Sequence, residues 1–162
     1  MKCRSVRDRL FALAAIVSIL LADIFSKRWA IHHLLETGKT AEGIKGLFQF
    51  RFAWNTGVAF SFLSGMPAIV IVFTALILTA VALFLFLPKR EKLFFRLCLA
   101  LIFAGGLGNL IDRILYGAVA DFIEFTFISF PVFNLADVCV VTGTLLYAAR
   151  MLIFDKKKGG AH

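Results

Sequence analysis

The chain is 162 residues long and 60% hydrophobic, with a mean hydropathy of +0.89; soluble domains average about 45–50% apolar residues, so that class is excluded. The net charge of +8 would suit a nucleic-acid partner, but 12 of the 18 basic residues fall in three clusters, Lys2–Arg9, Lys89–Arg96 and Arg150–Lys158. These sit at alternate turns between apolar runs, the distribution that orients a membrane protein, so no nucleic acid is expected.

Behind the first basic cluster, Leu10 to Ile24 is an apolar run that looks like a secretory signal peptide. Asp23 at its end and the lack of a small-x-small site argue against removal, and extension to about Ile31 gives the roughly 20 residues needed to cross hydrocarbon. A retained first transmembrane helix, about 10–31, is expected. Asp23 and Lys27 are four residues apart and share a helix face. They read as a paired, supporting charge at the membrane boundary, with Lys27 and Arg28 snorkelling to the interface. His32 and His33 beside Trp29 read as interfacial side chains. Cys3, Cys98 and Cys139 form neither a disulfide framework nor a Cys/His cluster, so no metal is expected.

The connection at about 36–66 is mixed and rich in glycine. Within it Phe48, Phe50, Phe52 and Trp54 alternate with Gln49, Arg51 and Ala53, the period of a strand. A lone strand cannot cross lipid, because its backbone groups would have no partners; it belongs to a small sheet resting on the membrane. Asn55 to Gly57 reads as a turn. Pro67 to Leu87 is a nearly unbroken apolar run, with Pro67 suited to a helix start and Pro88-Lys-Arg ending it. A third span follows at about 93–115, in which Ala104, Gly105 and Gly108 offer a close packing surface. The connection 116–131 contains a second alternating segment, 119–127, and the fourth span covers about 132–154, with Gly143 and Thr144 as packing candidates.

These elements predict a membrane all-α fold, a four-transmembrane-helix bundle with a small extracytoplasmic β-sheet and both termini cytoplasmic, as a single domain. Both long connections then lie outside. Asn109, Asp112 and Arg113 share the outer end of the third helix, Asn134 and Asp137 share the outer start of the fourth, and Asp121 lies between. Antiparallel neighbouring helices would let Asp121 reach Asp137. Two such carboxylates cannot both ionise cheaply, so one can activate water while the other, protonated, donates to an amide. Asn55, Asn134 and Arg113 are suited to holding a peptide backbone or a lipid head group. Other readings stand beside this one: Asp112 and Arg113 can tie helix ends by satisfying each other, and intramembrane carboxylates also serve proton or ion pathways. A non-enzymatic carrier or assembly factor is the rival class.

The residues resemble those of lipoprotein signal peptidase, the type II signal peptidase of bacteria, along nearly the whole chain. The resemblance rests on Asp23 and Lys27; on Asn55, Gly57, Ala59 and Phe60; on Gly105, Gly106, Gly108, Asn109, Asp112 and Arg113; on Val119, Asp121 and Phe122; and on Phe133, Asn134, Ala136 and Asp137. It implies an aspartyl endopeptidase of the bacterial cytoplasmic (inner) membrane, with its site on the extracytoplasmic side. The implied reaction removes the signal peptide from diacylglyceryl-modified prolipoproteins, cutting before the lipidated cysteine. Asp121 and Asp137 are then the catalytic pair. Asn55, Asn109, Arg113 and Asn134 contact substrate or order the site, and Asp23, Lys27 and Asp112 support it. The resemblance further implies no cofactor, prolipoproteins and membrane lipids as partners, a monomer, and a mobile segment over the site. The basic tail after Phe154 is expected to be disordered.

Overall fold

The computed structural model describes residues 2–57, 66–87 and 92–155. Ala59 and Phe60 of the second motif, the Pro88-Lys-Arg stop and the basic tail lie outside the described residues. Helix α1 (Lys2–Ala30) passes into a π-helical turn, Ile31–Leu35; β1 (Ala41–Ile44) and β2 (Phe48–Asn55) form a hairpin; α2 (Pro67–Phe86), α3 (Leu93–Tyr116), β3 (Val119–Phe125) and α4 (Leu135–Asp155) follow. All four α-helices are long and apolar enough to cross a membrane. Most of their large apolar side chains point outward, as lipid as the solvent permits.

Helix α3 is the post of the bundle: α1, α2 and α4 each pack on it, while α2 and α4 scarcely meet among the described residues. Small residues set the spacing. Ala12 and Ile16 of α1 lie against Ala100 and Ala104 of α3, with Leu85 of α2 closing the cluster. On the other flank Gly105 faces the Ala136 carbonyl and Gly143 faces the Cys98 carbonyl, so closely that a Cβ at either would collide with backbone. The packing expected of Gly105, Gly108 and Gly143 is therefore present. Thr144 is not part of it; its side chain is exposed and donates to the Val140 carbonyl of its own helix at 2.8 Å.

One antiparallel sheet, in the order β1-β2-β3, caps the end of the bundle that carries the polar residues. The β2–β3 pairing sets Ala53 opposite Asp121 and Asn55 opposite Val119, after a bulge between Phe50 and Ala53. The sheet rests on the end of α1 through Phe122, which packs with Ala30 and Leu34, and through Phe50 against Trp29. Strand β1 escaped the sequence reading because Ala-Glu-Gly-Ile has too few apolar residues to show a period; Gly46, at φ 76°, turns it into β2.

Two boundaries differ from expectation. Helix α1 begins at Lys2 rather than near residue 10, since basic residues are good helix formers and polarity alone does not end a helix. Helix α4 begins at Leu135 rather than at 132, because Phe133 is held in extended form by β3: its N–H donates to the Ile123 carbonyl at 3.0 Å and its carbonyl accepts the Ile123 N–H at 2.8 Å.

Candidate active site

The backbone pairing of Phe133 with Ile123 brings the start of α4 beside β3. Asn134 is the N-cap of that helix: its Oδ1 accepts the Asp137 N–H at 2.9 Å, and Asp137 Oδ2 accepts the Asn134 N–H at 3.1 Å. This is a reciprocal capping box, with the acid at the third helical position. The other end of the Asn134 amide reaches sideways, donating to Asp121 Oδ1 at 2.6 Å and to Asn109 Oδ1 at 3.1 Å. Asn109 in turn donates to Asp137 Oδ1 at 2.7 Å. Asn55, at the end of β2, donates to Asp121 Oδ2 at 2.9 Å, and its own Oδ1 accepts the Gly57 N–H at 3.0 Å. All four carboxylate oxygens of Asp121 and Asp137 thus accept a hydrogen bond, and Asn134 bridges the two acids.

Beneath this layer lies a buried charge cluster. Lys27 Nζ sits 2.8 Å from Asp23 Oδ2 and 3.0 Å from Asp112 Oδ2, and donates to Asn109 Oδ1 at 3.0 Å. The other oxygen of Asp23 accepts the Ala136 N–H at 3.2 Å, tying α1 to α4, and Asp112 accepts the Ala120 N–H at 3.2 Å, tying α3 to β3. Gly108 leaves the space that Asp23 fills; a Cβ there would fall 2.3 Å from its carboxylate oxygen.

Burial first, and then the Asp137 charge, push the Asp121 carboxyl up to about 7, against the pull of its bonds to Asn55 and Asn134 and of the Lys27 charge. Asp121 is 1% exposed. At neutral pH the Asp121 carboxyl is therefore poised between its protonated and ionised forms. On the outer face of the sheet Glu124 is held below the usual carboxylate range by hydrogen bonds from Arg51 and then Gln49.

A cavity of about 520 Å³ opens beside the pair, in the gap that α2 and α4 leave over α3. Asn55, Asn109, Arg113 and Asp137 form its polar patch; Thr74, Gly106, Val140 and Val141 line it from the helices, and Phe125, Phe130 and Phe133 roof it. The three phenylalanines brace one another, with ring centroids 5.0–5.9 Å apart. Asp121 lies behind this wall, so Asp137 is the member of the pair that faces the cavity. Arg113 is anchored by donating to the Gly57 carbonyl at 2.7 Å, which clamps the turn after Asn55, while its buried Nε has no hydrogen-bond partner among the described residues.

The structure gathers all nine residues singled out from the sequence, in two layers. Asp121, Asp137, Asn55, Asn109, Asn134 and Arg113 lie at or beside the cavity; Asp23, Lys27 and Asp112 lie below. Two expectations change. Asp112 and Arg113 do not satisfy each other: adjacent on a helix, they point to Lys27 and to Gly57 respectively. Lys27 does not snorkel; it is buried, because its ammonium finds three oxygens inside the bundle. Sequence reasoning missed the backbone groups that complete the site, the Gly57 carbonyl and the Ala120 and Ala136 N–H groups, which carry no side-chain signal. It also missed the aromatic roof, although the crowding of Phe125, Phe127, Phe130 and Phe133 beside Asp121 was a visible sign. Among the described residues no group of His, Cys, Asp and Glu could hold a metal.

A family model described as signal peptidase (SPase) II matches residues 15–153. The lipoprotein signal peptidase of Streptococcus thermophilus is 32% identical over 148 residues, covering 91% of this chain and 94% of that protein. That of Nostoc punctiforme is 39% identical over 141 residues, covering 85% and 86%. A bacterial membrane enzyme solved by the in meso method at 2.3 Å superposes with a TM-score of 0.84 at 30% identity, over 94% of this chain and 93% of that one.

Proposed function

The chain belongs to the signal peptidase II family, and from that premise we propose that it is an aspartyl endopeptidase removing the signal peptide from diacylglyceryl-modified prolipoproteins, with cleavage just before the lipidated cysteine. The observation that carries this reading is the bridged pair Asp121 and Asp137 at the head of a cavity lined by helices long and apolar enough to cross a membrane. A water in the cavity attacks the scissile carbonyl as the ionised carboxylate takes its proton. The protonated partner gives its proton to the carbonyl oxygen, forming a gem-diol; the first acid then passes the proton it took from water to the amide nitrogen, the partner recovers a proton from a diol hydroxyl, and the C–N bond breaks to release a carboxylic acid and an amine. Arg113 and Asn55, which share the turn at Gly57, are placed to hold the peptide backbone near the pair.

The unclosed seam between α2 and α4 supports entry from the bilayer. A precursor anchored by its signal helix and two acyl chains can slide in sideways, and each buried methylene adds roughly 0.8 kcal/mol to binding. The clusters of basic residues support a cytoplasmic-membrane protein with both termini inside and the sheet and catalytic pair outside. One chain holds the whole site, consistent with a monomer working as a single domain. A carrier would instead place broken helices at mid-membrane; here the polar groups gather at one end of the bundle.

The test is incubation of the purified protein with a diacylglyceryl precursor and measurement of product mass. Wild type should yield a product that begins at the modified cysteine. Asp121→Asn and Asp137→Asn should be folded and inert; normal processing by Asp137→Asn would end the aspartyl assignment.

A further inference from the structure

The threonines of α2 and α4 are of two kinds. Thr79 donates to the Ala75 carbonyl and Thr144 to the Val140 carbonyl, each at 2.8 Å. Bonding back to the carbonyl four residues earlier is how a hydroxyl inside a helix satisfies itself. Thr74 and Thr142 make no such bond, nor any other hydrogen bond among the described residues. Both line the cavity, one on each of the two helices that flank it. Thr74 is half-buried and stands one turn above Leu78, whose tip lies over Gly106 of the cavity wall. Thr142 is exposed and comes five residues after Asp137, about 7 Å further along α4 at 1.5 Å per residue. Deeper between the same three helices, Phe84, Leu99, Ile102 and Ala148 line a largely apolar groove of about 360 Å³.

A hydroxyl with no partner is unfavourable where lipid is the solvent, unless a ligand fills its donor. A lipidated precursor with its scissile bond at Asp137 carries carbonyl oxygens on both sides of that bond, and these only accept. Before the bond, an extended chain advances about 3.3 Å per residue, so main-chain carbonyls two residues away lie about 7 Å off. After it, the two glyceryl esters hang from the cysteine side chain, ahead of their hydrocarbon.

We propose that Thr74 and Thr142 are substrate-binding residues, each hydroxyl donating to a carbonyl oxygen of the lipidated precursor, a main-chain amide or a glyceryl ester, inside the cavity. This deepens the signal-peptidase reading and rests on it, because that reading supplies the ligand. A hydroxyl kept for a ligand does nothing for the empty protein. Replacing it by a methyl group of the same shape should therefore leave the fold as stable or more stable while weakening binding. A hydroxyl with a structural task would lose stability instead.

The test uses the full chain in micelles with Asp137→Asn as the background, so that an intact diacylglyceryl precursor can be titrated and its Kd read without cleavage. Thr74→Val and Thr142→Val should each raise Kd about fivefold, and the two together about twenty-fivefold. Their melting temperatures should equal or exceed that of the background. Thr74→Ser and Thr142→Ser keep the hydroxyl and should bind as the background does. Two controls should leave Kd unchanged: Thr79→Val, where the hydroxyl is already bonded within α2, and Ser18→Ala, on an exposed position of α1 outside the cavity lining. An unchanged Kd in the double valine variant overturns the proposal. So does a valine variant that melts lower or does not fold, because its hydroxyl then has a partner inside the protein.

A second titration, with an ether-linked dialkylglyceryl precursor that has no ester carbonyls, identifies the acceptor. A valine effect that disappears there belongs to the esters, and one that persists belongs to the peptide. The parent reading fails differently. A background protein that does not bind the precursor removes the substrate, and one that cleaves it removes the catalytic pair. Equal binding by the background and its double valine variant removes only the two threonines.

Discussion

Gly105 stands where α3 meets the first turn of α4, and replacing it with alanine should move the site. A Cβ at that position would lie 2.3 Å from the Ala136 carbonyl oxygen and 2.9 Å from Val140 Cγ2, where ordinary contact begins near 3.4 Å. The valine methyl can swing aside, but the carbonyl is helix backbone, so the two helices must part by about 1 Å. Ala136 precedes Asp137, and Asn109 lies one turn along from Gly105. Their 2.7 Å hydrogen bond would be stretched beyond useful length. Misplacement of a catalytic group by about 1 Å costs around a hundredfold in rate, and the overpacking itself about 1–3 kcal/mol of stability. Cleavage of a lipidated precursor, followed by product mass, should therefore show kcat down about a hundredfold in a protein that still melts cooperatively. Gly106→Ala is the control. There the new methyl meets Leu78 Cδ2 at 2.7 Å, the far end of a flexible side chain on α2, so cleavage should stay within about threefold of wild type. A folded Gly105→Ala cleaving at the wild-type rate would refute the claim that α3–α4 spacing sets the geometry of the pair.

The raised Asp121 carboxyl should also appear in stability. Below the ordinary carboxylate value of 3.8 the group is protonated in both states and costs nothing; as pH rises toward about 7 the unfolded chain loses the proton while the folded one keeps it. Stability therefore falls across that window, by a few kcal/mol in all. The melting temperature of wild type relative to Asp121→Asn should drop between pH 4 and 8, and a constant difference would contradict the burial argument. Arg51 donates to both oxygens of Glu124 at 2.6 and 2.7 Å, but on the exposed face of the sheet; Arg51→Ala should cost under about 1 kcal/mol in melting experiments and leave cleavage intact. Arg113→Ala frees the Gly57 carbonyl and loosens the turn that carries Asn55. It should raise KM and lower kcat together on the lipidated precursor, and unchanged values for both would remove Arg113 from the site.

The spans were legible because a lipid-facing helix needs an unbroken apolar run, and such a run is visible without any partner. The pairing of Asp23 with Lys27 was legible for a similar reason, being local to one helix turn. Other features depended on neighbours distant in the chain. That Lys27 is buried follows from Asp112 and Asn109, more than eighty residues further on, and no local rule distinguishes it from a snorkelling lysine. Neighbouring Asp112 and Arg113 suggested a self-contained pair, yet consecutive residues on a helix point about 100° apart, and each found its partner elsewhere. The late start of α4 was hidden because Phe133 satisfies its backbone on β3, a sheet bond that apolar periodicity does not announce. Within the site, the acids and amides were readable as residue types, but the direction in which each amide points emerged only from the assembled hydrogen bonds.

Asp137 pegs the first turn of α4 through the cap it shares with Asn134, and the same carboxylate confronts the cavity. Fold and chemistry are thus soldered at one side chain. A tightly held inhibitor that draws this carboxylate toward itself would also take the acceptor from the Asn134 N–H at the helix end on which the acid stands. Idling the reagent and fraying residues 135–138 should be two readings of a single event, and amide exchange in that turn offers a way to watch the chemistry without any substrate present.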